Sequence, residues 1–175
     1  MHALKWLETH GRYVRFIYAT DLRIALGREK KHCTWCNARI TNSRTKWCSD
    51  ECLEAFRSRC DLNHIRWLLQ QRDKGICQSC GRDTAKLTER IIRGWHHARD
   101  IKRPYSLGRF QRLKRWYRVY ASGGSWEADH IVPVIEGGGC CGLDCYRTLC
   151  LRCHRAETAK LATKRANTTK LPPSK

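Results

Sequence analysis

The fold of this chain is decided between Trp126 and Lys164, which read W-E-A-D-H-I-V-P-V-I-E-G-G-G-C-C-G-L-D-C-Y-R-T-L-C-L-R-C-H-R-A-E-T-A-K-L-A-T-K. Asp129 and His130 introduce a short apolar strand, Ile131–Ile135, that ends in three glycines. An apolar run of this length bounded by turn residues is typical of a strand. The first half of the stretch therefore predicts a strand followed by a tight glycine loop.

The second half of the stretch repeats the apolar pattern and then adds metal-binding residue types. Tyr146–Leu151 is a second strand-like run, and it leads into Cys150, Cys153 and His154 before a segment rich in Ala and Lys. The predicted order is strand, loop, strand, zinc knuckle and helix. Asp129 and His154 are then candidates to hold one metal ion, with His130 beside them.

Twelve cysteines are compatible with a disulfide scaffold or with metal sites. Met1–Gly11 carries Glu8 and lacks the apolar core of a secretory signal, so we expect an intracellular, reducing location, cytoplasmic or at the nucleoid in a prokaryote. Eight cysteines fall in close pairs, and two such pairs complete a four-sulfur zinc site. We predict two structural zinc ions, held by Cys33, Cys36, Cys48 and Cys52, and by Cys77, Cys80, Cys150 and Cys153.

The charge balance of the 175 residues is strongly basic. Lys and Arg number 35 against 16 Asp and Glu, which gives a formal net charge of +19. An excess of this size favours a polyanionic partner, nucleic acid before a membrane surface. The sequence also lacks a run of about 18 apolar residues, so no membrane-spanning helix is expected.

The pattern D-H-I-x-P-V-x-x-G-G-G followed by L-D-x-x-R-T-L-C-x-x-C-H resembles the HNH, or ββα-metal, endonuclease family, in its McrA-like, zinc-ribboned branch. The resemblance extends from Cys77 to Lys164. It implies that His130 is a general base and that Asp129 and His154 hold a catalytic divalent ion, one of Mg²⁺, Mn²⁺, Ni²⁺ or Zn²⁺. Cys145 stands where the family carries the asparagine of its name, either as a loop residue or as a thiolate ligand.

A second zinc module precedes this motif. The segment from Cys33 to Phe56 predicts a knuckle, a hairpin and a helix that opens at Ser49, and it resembles a treble-clef-type finger. We therefore predict a small α+β, zinc-stabilised protein with two domains. Residues 1–60 would hold the four-cysteine finger, and residues 61–175 the treble-clef-like ββα-metal nuclease domain, with a basic helical insert at 82–125 and a frayed basic tail after Lys164.

The insert carries an amphipathic pattern. Four apolar residues follow helical spacing, which leaves three arginines turned toward solvent, where their guanidinium groups can follow a phosphate backbone. The apolar residues are Leu107, Phe110, Leu113 and Tyr117. The arginines are Arg109, Arg112 and Arg115.

Three further elements are predicted outside the two zinc modules. Arg12–Tyr18 alternates like a strand, and Asp21 is placed to cap a helix over residues 21–30. Asp61–Asp73 has the clearest amphipathic helical pattern in the chain.

Two functions are compatible with these observations. One is a metal-dependent HNH endonuclease that hydrolyses the phosphodiester bonds of nucleic acid, with DNA as the expected substrate. The alternative is a catalytically inactive zinc module that binds nucleic acid or a partner protein, which the cysteine at position 145 favours. The sequence leaves a protein partner or a homodimer open.

Overall fold

The structure is a computed structural model that describes residues 1–102, 104–116 and 125–169. Its described residues form seven α-helices and one two-stranded sheet, which confirms the α+β prediction. In chain order the elements are α1 (Ala3–Thr9), α2 (Ala19–Ala25), α3 (Asp50–Cys60), α4 (Leu62–Asp73), α5 (Thr84–Asp100), α6 (Pro104–Trp116), β1 (Trp126–His130), β2 (Tyr146–Cys150) and α7 (Leu151–Thr169). No described helix combines the length and the apolar character that a membrane span needs.

The chain divides into two compact units. The first unit comprises Met1–Arg72 and His130–Arg147, and the second comprises Asp73–Asp129 and Thr148–Lys175. The division therefore falls inside both strands of the sheet. Whether residues 1–60 and 61–175 behave as separate domains stays a prediction.

The first unit has an apolar core that gathers α1, α2, α3 and the cysteine-rich segment between them. Leu7 and Leu22 are buried in it, and Trp47 packs on Phe56 of α3 with ring centroids 4.9 Å apart. Ser49 caps α3 as predicted, since its hydroxyl accepts a hydrogen bond from the amide of Cys52. The predicted amphipathic helix is also confirmed as α4, which buries Ile65 and Leu69 completely.

The second unit contains a helical hairpin, α5 and α6. Gly94 of α5 lies so close to Phe110 that a Cβ atom at Gly94 would be 2.3 Å from the ring. The predicted helix of the insert is confirmed as α6, with Leu107, Phe110 and Leu113 half-buried and the three arginines exposed. Tyr117, the fourth residue of the predicted stripe, lies outside the described residues. Helix α5, capped by Asp83, lies within the insert predicted to be helical at 82–125 and precedes α6 there as a separate helix.

The predicted strand at Ile131–Ile135 is wrong. The strand instead ends at His130, and the chain then turns into a short 3-10 helix at Val134–Glu136. Pro133 has no N–H to donate to a neighbouring strand, so extended pairing stops before it. Ile131, like two other apolar residues of this run, is about half exposed, at 52%. Asp129 and His130 therefore close β1 rather than open a strand.

Two predictions about the amino-terminal segment are also wrong. Arg12–Tyr18 forms no strand, since Gly11–Tyr13 is a 3-10 turn and the following residues are irregular. Helix α2 begins at Ala19, with Tyr18 at the capping position and Asp21 inside the first turn. At the other end, α7 continues as a helix to Thr169, so the tail is not frayed directly after Lys164, and residues 170–175 lie outside the described part.

Candidate zinc centres and active site

The four cysteines of the first unit meet in one cluster. The Sγ atoms of Cys33, Cys36, Cys48 and Cys52 all lie within 4.8 Å of one another. The Sγ atom of Cys48 is 3.5 Å from that of Cys36 and 3.6 Å from that of Cys52. Four thiols at these separations fit the tetrahedral coordination of one zinc ion.

The second unit contains an equivalent cluster, formed by Cys77, Cys80, Cys150 and Cys153. The Sγ atoms of Cys80 and Cys150 are 3.8 Å apart. Cys150 is the last residue of β2, and Cys153 lies in the first turn of α7. A zinc ion held here would tie the Cys77 turn to the junction of strand and helix, directly beside His154.

The first turn of each cluster is a knuckle of the same construction. An antiparallel bridge closes it, between His32 and Arg39 in the first unit and between Ile76 and Asp83 in the second. Each knuckle turns through one residue in the left-handed region, which is Asn37 (φ 71°) or Gly81 (φ 68°). In each turn that residue donates its amide to the carbonyl of the first cysteine.

The same turns stabilise a thiolate. Burial opposes ionisation of Cys33, but hydrogen bonds from backbone amides, first that of Cys36 and then that of Cys48, outweigh it and lower the pKa of the thiol to about 7. Cys77 shows the same balance, with amides of Cys150 and Cys80 lowering its pKa to about 7. Zinc binds the thiolate form, so both knuckles are electrostatically prepared for the metal.

Asp129 and His154, the two predicted ligands of a catalytic ion, come together in the second unit. The Nε2 atom of His154 lies 3.8 Å from Oδ1 of Asp129, and the two side chains are 35% and 16% exposed, respectively. Two ligand atoms bound to one divalent ion at about 2.1 Å each are roughly 3.0 to 3.4 Å apart. A shift of a few tenths of an ångström would therefore let the pair hold one ion on a partly open face.

His130 lies in the first unit against Tyr146, the first residue of β2. The two ring centroids are 4.2 Å apart and the planes are inclined by 43°. Tyr146 is 1% exposed, and its carbonyl accepts a hydrogen bond of 2.8 Å from Arg72 of α4. Because the Tyr146 side chain is buried and its carbonyl is hydrogen-bonded to Arg72, its ring is a fixed surface against which the imidazole of His130 packs.

Cys145, at the family's asparagine position, is connected to its own loop. Its carbonyl accepts a hydrogen bond of 2.8 Å from the amide of Ile131, and its amide donates to the carbonyl of Gly142. Burial, followed by a hydrogen bond with the Cys145 side chain, raises the pKa of Cys141 to about 12. The backbone thus closes the loop between the strands.

Two of the three glycines of the motif are required by close approaches in the first unit. A Cβ atom at Gly138 would lie 1.8 Å from the carbonyl oxygen of Val132. At Gly139 it would lie 2.2 Å from the carbonyl oxygen of Val14. Gly139 also donates its amide to the carbonyl of Arg12 over 2.7 Å. The loop therefore contacts a segment more than a hundred residues earlier in the chain.

Two residues beside the candidate site carry no signal in the sequence. Tyr146 belongs to an apolar run, and Arg72 belongs to an amphipathic helix. Their contact joins residues 74 positions apart in the chain. No local pattern indicates such a pair, whereas the candidate metal ligands are recognised by their type and spacing.

Several known proteins are similar to this chain. The mouse (Mus musculus) protein DNA annealing helicase and endonuclease ZRANB3 is 32% identical over 130 residues, which are 73% of this chain and 12% of that protein. The human (Homo sapiens) protein of the same name is 32% identical over 135 residues, 75% of this chain and 12% of that protein. The chain thus spans about an eighth of the relatives that it matches.

The crystal structure of the human ZRANB3 HNH domain is 28% identical, with a TM-score of 0.42 over 62% of this chain and 96% of that one. No family model matches the sequence.

Two strands, a helix that begins directly after the second strand and two four-cysteine clusters define a ββα arrangement that fits stabilisation by zinc. Over the residues that it shares with them, the chain is related to the ZRANB3 proteins, and its motif resembles that of the HNH family. The described elements confirm the predicted fold class, a small α+β protein with two four-cysteine clusters.

Proposed function

We propose that the chain is a metal-dependent HNH endonuclease that hydrolyses the phosphodiester bonds of DNA. The observation that carries the proposal is the pairing of His154 with Asp129, whose ligand atoms are 3.8 Å apart at the end of β1 and the start of α7. The relatives of this chain are named as endonucleases with a DNA function, which supports the same reaction and substrate.

The proposed chemistry divides the work among three side chains. Asp129 and His154 would hold a divalent ion, with Mg²⁺, Mn²⁺, Ni²⁺ and Zn²⁺ as candidates, and such an ion stabilises negative charge on the leaving oxygen when bound. His130 takes a proton from the attacking water as general base. Adjacent strand residues point to opposite faces, so Asp129 and His130 can serve different roles although they are neighbours. Tyr146 orients the imidazole through their ring contact.

Cys145 is proposed to be a loop residue rather than a metal ligand. Its side chain is close to Cys141, and its backbone already closes the loop through Ile131. The hydrogen bonds that an asparagine side chain would supply in the family are thereby partly replaced by main-chain bonds. A cysteine at this position is then compatible with activity.

The proposed DNA surface is the exposed face of α6. Arg109, Arg112 and Arg115 are all exposed, about one helical turn apart, in a chain with a net charge of +19. Arginines on this spacing reach successive phosphates and contribute affinity without reading sequence.

Plasmid cleavage tests the proposal directly. The zinc-loaded chain is incubated with supercoiled plasmid and each candidate ion in turn, and His130→Ala is compared with His10→Ala. His10 is an exposed histidine of the same unit, outside the site. Loss of a general base should lower the cleavage rate by about 100- to 10,000-fold, with DNA affinity within about twofold of wild type. The control should cleave normally.

The alternative function has a distinct signature in the same assay. If the wild-type chain binds DNA but nicks no plasmid with any of the candidate ions, the chain is a zinc module that binds nucleic acid without cutting it. If His130→Ala loses binding in proportion to cleavage, His130 is a structural residue and the assignment of a general base is wrong.

A further inference from the structure

A pocket opens between the two helices of the basic hairpin in the second unit. Its volume is about 500 Å³, within the range of small-molecule sites. One wall is the indole of Trp95 on α5, and the remainder belongs to α6. The lining residues are Trp95, Gly108, Gln111, Arg112, Lys114 and Arg115.

The charge of this pocket selects an anion. Among the six lining residues that the structure describes, three are cationic and none is acidic. The ammonium of Lys114 lies over the Trp95 ring at 4.0 Å from its centroid, and the guanidinium of Arg99 lies 5.2 Å from the same ring. The aromatic face thus concentrates positive charge beside a concave surface.

The pocket has room for a flat group beside an aromatic side chain. Gly108 contributes no side chain, and a Cβ atom built there would meet nothing within 4 Å. The space beside Gly108 is therefore open, in a pocket that Trp95 also lines, while Gln111 supplies both a hydrogen-bond donor and an acceptor. An aromatic wall, an amide and surrounding cations match the three parts of a nucleotide, which are the base face, the base edge and the phosphate.

From this pocket we infer that the α5–α6 hairpin takes up one unpaired nucleotide, so that the preferred substrate is DNA with a single-stranded segment beside its duplex. The inference rests on the proposed function, because it specifies the class of DNA on which that activity acts. In a continuous duplex the base faces are covered by their neighbours, and only phosphates would reach α6. An unstacked nucleotide can fill the pocket.

Base stacking on Trp95 requires Lys114 to leave the ring. A cation over an exposed aromatic ring raises the equilibrium constant for that contact by about 2- to 5-fold. One base stacked on an aromatic side chain raises the binding constant by roughly 5- to 150-fold. Stacking is therefore favoured in the exchange, and the displaced ammonium is left beside the phosphate of the same nucleotide. Dividing the second factor by the first gives roughly 1- to 75-fold, and we expect a net preference for an unpaired nucleotide in the middle of that range, about 5- to 50-fold.

The test is a comparison of dissociation constants for two DNA ligands, measured by fluorescence anisotropy without added divalent ion. One is a duplex with an unpaired tail of about ten thymidines, a length within known single-strand site sizes. The other is a longer, fully paired duplex with the same total number of phosphates, so that charge is matched. The wild-type chain should bind the tailed duplex about 5- to 50-fold more tightly.

Gly108→Leu adds an apolar side chain at a lining position of the pocket where a Cβ atom meets nothing within 4 Å. Leucine has a higher helix propensity than glycine, so the variant should unfold at or above the wild-type temperature. It should lose the preference for the tailed duplex while its affinity for paired duplex stays within about twofold. Trp95→Leu should also lose the preference for the tailed duplex and keep its affinity for paired duplex. Trp67→Leu, at a tryptophan of α4 that is 57% exposed, is the matched control and should keep the preference.

Each other outcome contradicts the inference in a distinguishable way. Equal affinity of the wild-type chain for both ligands refutes the pocket while leaving the proposed nuclease intact. Failure to bind either DNA refutes the proposed DNA substrate as well. If polyglutamate displaces the tailed duplex as well as unlabelled tailed duplex does, the pocket accepts any polyanion. If thymidine monophosphate displaces it at the same concentration, a free nucleotide is the ligand of the pocket.

Discussion

Replacing Gly139 by alanine should destabilise the first unit through packing alone. The φ angle of Gly139 is not positive, so an alanine causes no backbone strain there. Its methyl group would, however, lie 2.2 Å from the carbonyl oxygen of Val14 and 2.8 Å from the carbonyl carbon. Both are main-chain atoms, which cannot swing aside as a side chain can. The loop and the amino-terminal segment must therefore separate.

The cost of this separation can be estimated from two contributions. Overpacking a tight contact costs about 1 to 3 kcal/mol. The amide of Gly139 also donates to the carbonyl of Arg12 over 2.7 Å, and weakening that bond adds about 1 kcal/mol. A total of about 2 to 4 kcal/mol corresponds to roughly 5 to 15 °C in the unfolding temperature of a chain of this size.

Thermal unfolding of the zinc-loaded protein measures the effect, with Gly108→Ala as the matched control. The same methyl group at Gly108 meets nothing within 4 Å and removes a glycine from the interior of α6. The control should therefore be stabilised by about 0.5 to 1 kcal/mol. Zinc content should stay at two ions in both variants. If Gly139→Ala unfolds at the wild-type temperature, the loop does not pack on the amino-terminal segment and the reasoning is wrong.

Three further predictions concern metal, charge and the altered motif position. Elemental analysis should find two zinc ions per wild-type chain and one zinc ion in either Cys36→Ser or Cys80→Ser. The structure around the emptied site should be lost, because zinc binding of about 10 to 16 kcal/mol rivals the whole stability of a domain. Finding the eight thiols as disulfides would contradict this. The logarithm of duplex affinity should fall with the logarithm of salt with a slope of roughly −4 to −7, and replacing the three arginines of α6 by glutamine should flatten it by about 2 to 3 units; an unchanged slope would move the interface elsewhere. Cys145→Asn should keep or raise cleavage with Mg²⁺ and leave the preference between Mg²⁺ and Zn²⁺ unchanged, whereas a shift away from Zn²⁺ would show that the thiolate is a ligand.

Much of the fold could be predicted from the sequence because metal ligands are recognised by residue type and short spacing. A Cys-x2-Cys turn needs only one left-handed residue and one closing bridge, all within about eight positions. The cap of α3 at Ser49 is equally local. These features, together with the family motif, predicted two four-cysteine clusters and a ββα arrangement that the structure confirms.

Where a local pattern was compatible with two structures, the sequence led to errors. The apolar run at Ile131–Ile135 has the composition of a strand. A strand needs hydrogen bonds to a partner, however, and Pro133 has no N–H to donate. The run at Arg12–Tyr18 alternates like a strand and yet forms none. Its backbone instead meets the glycine loop through Arg12 and Val14.

By itself, the sequence determined which cysteines cluster, the order of the ββα elements and the amphipathic character of α4 and α6, because each depends on neighbours along the chain. Only the tertiary structure decided how the loop packs on Val14, how Arg72 holds Tyr146, and that Trp95 and Gly108 share a pocket. These contacts join atoms that are close in space and 13 to 125 positions apart in the chain. Their geometry follows from excluded volume and hydrogen-bond satisfaction across packed elements, which no spacing rule encodes.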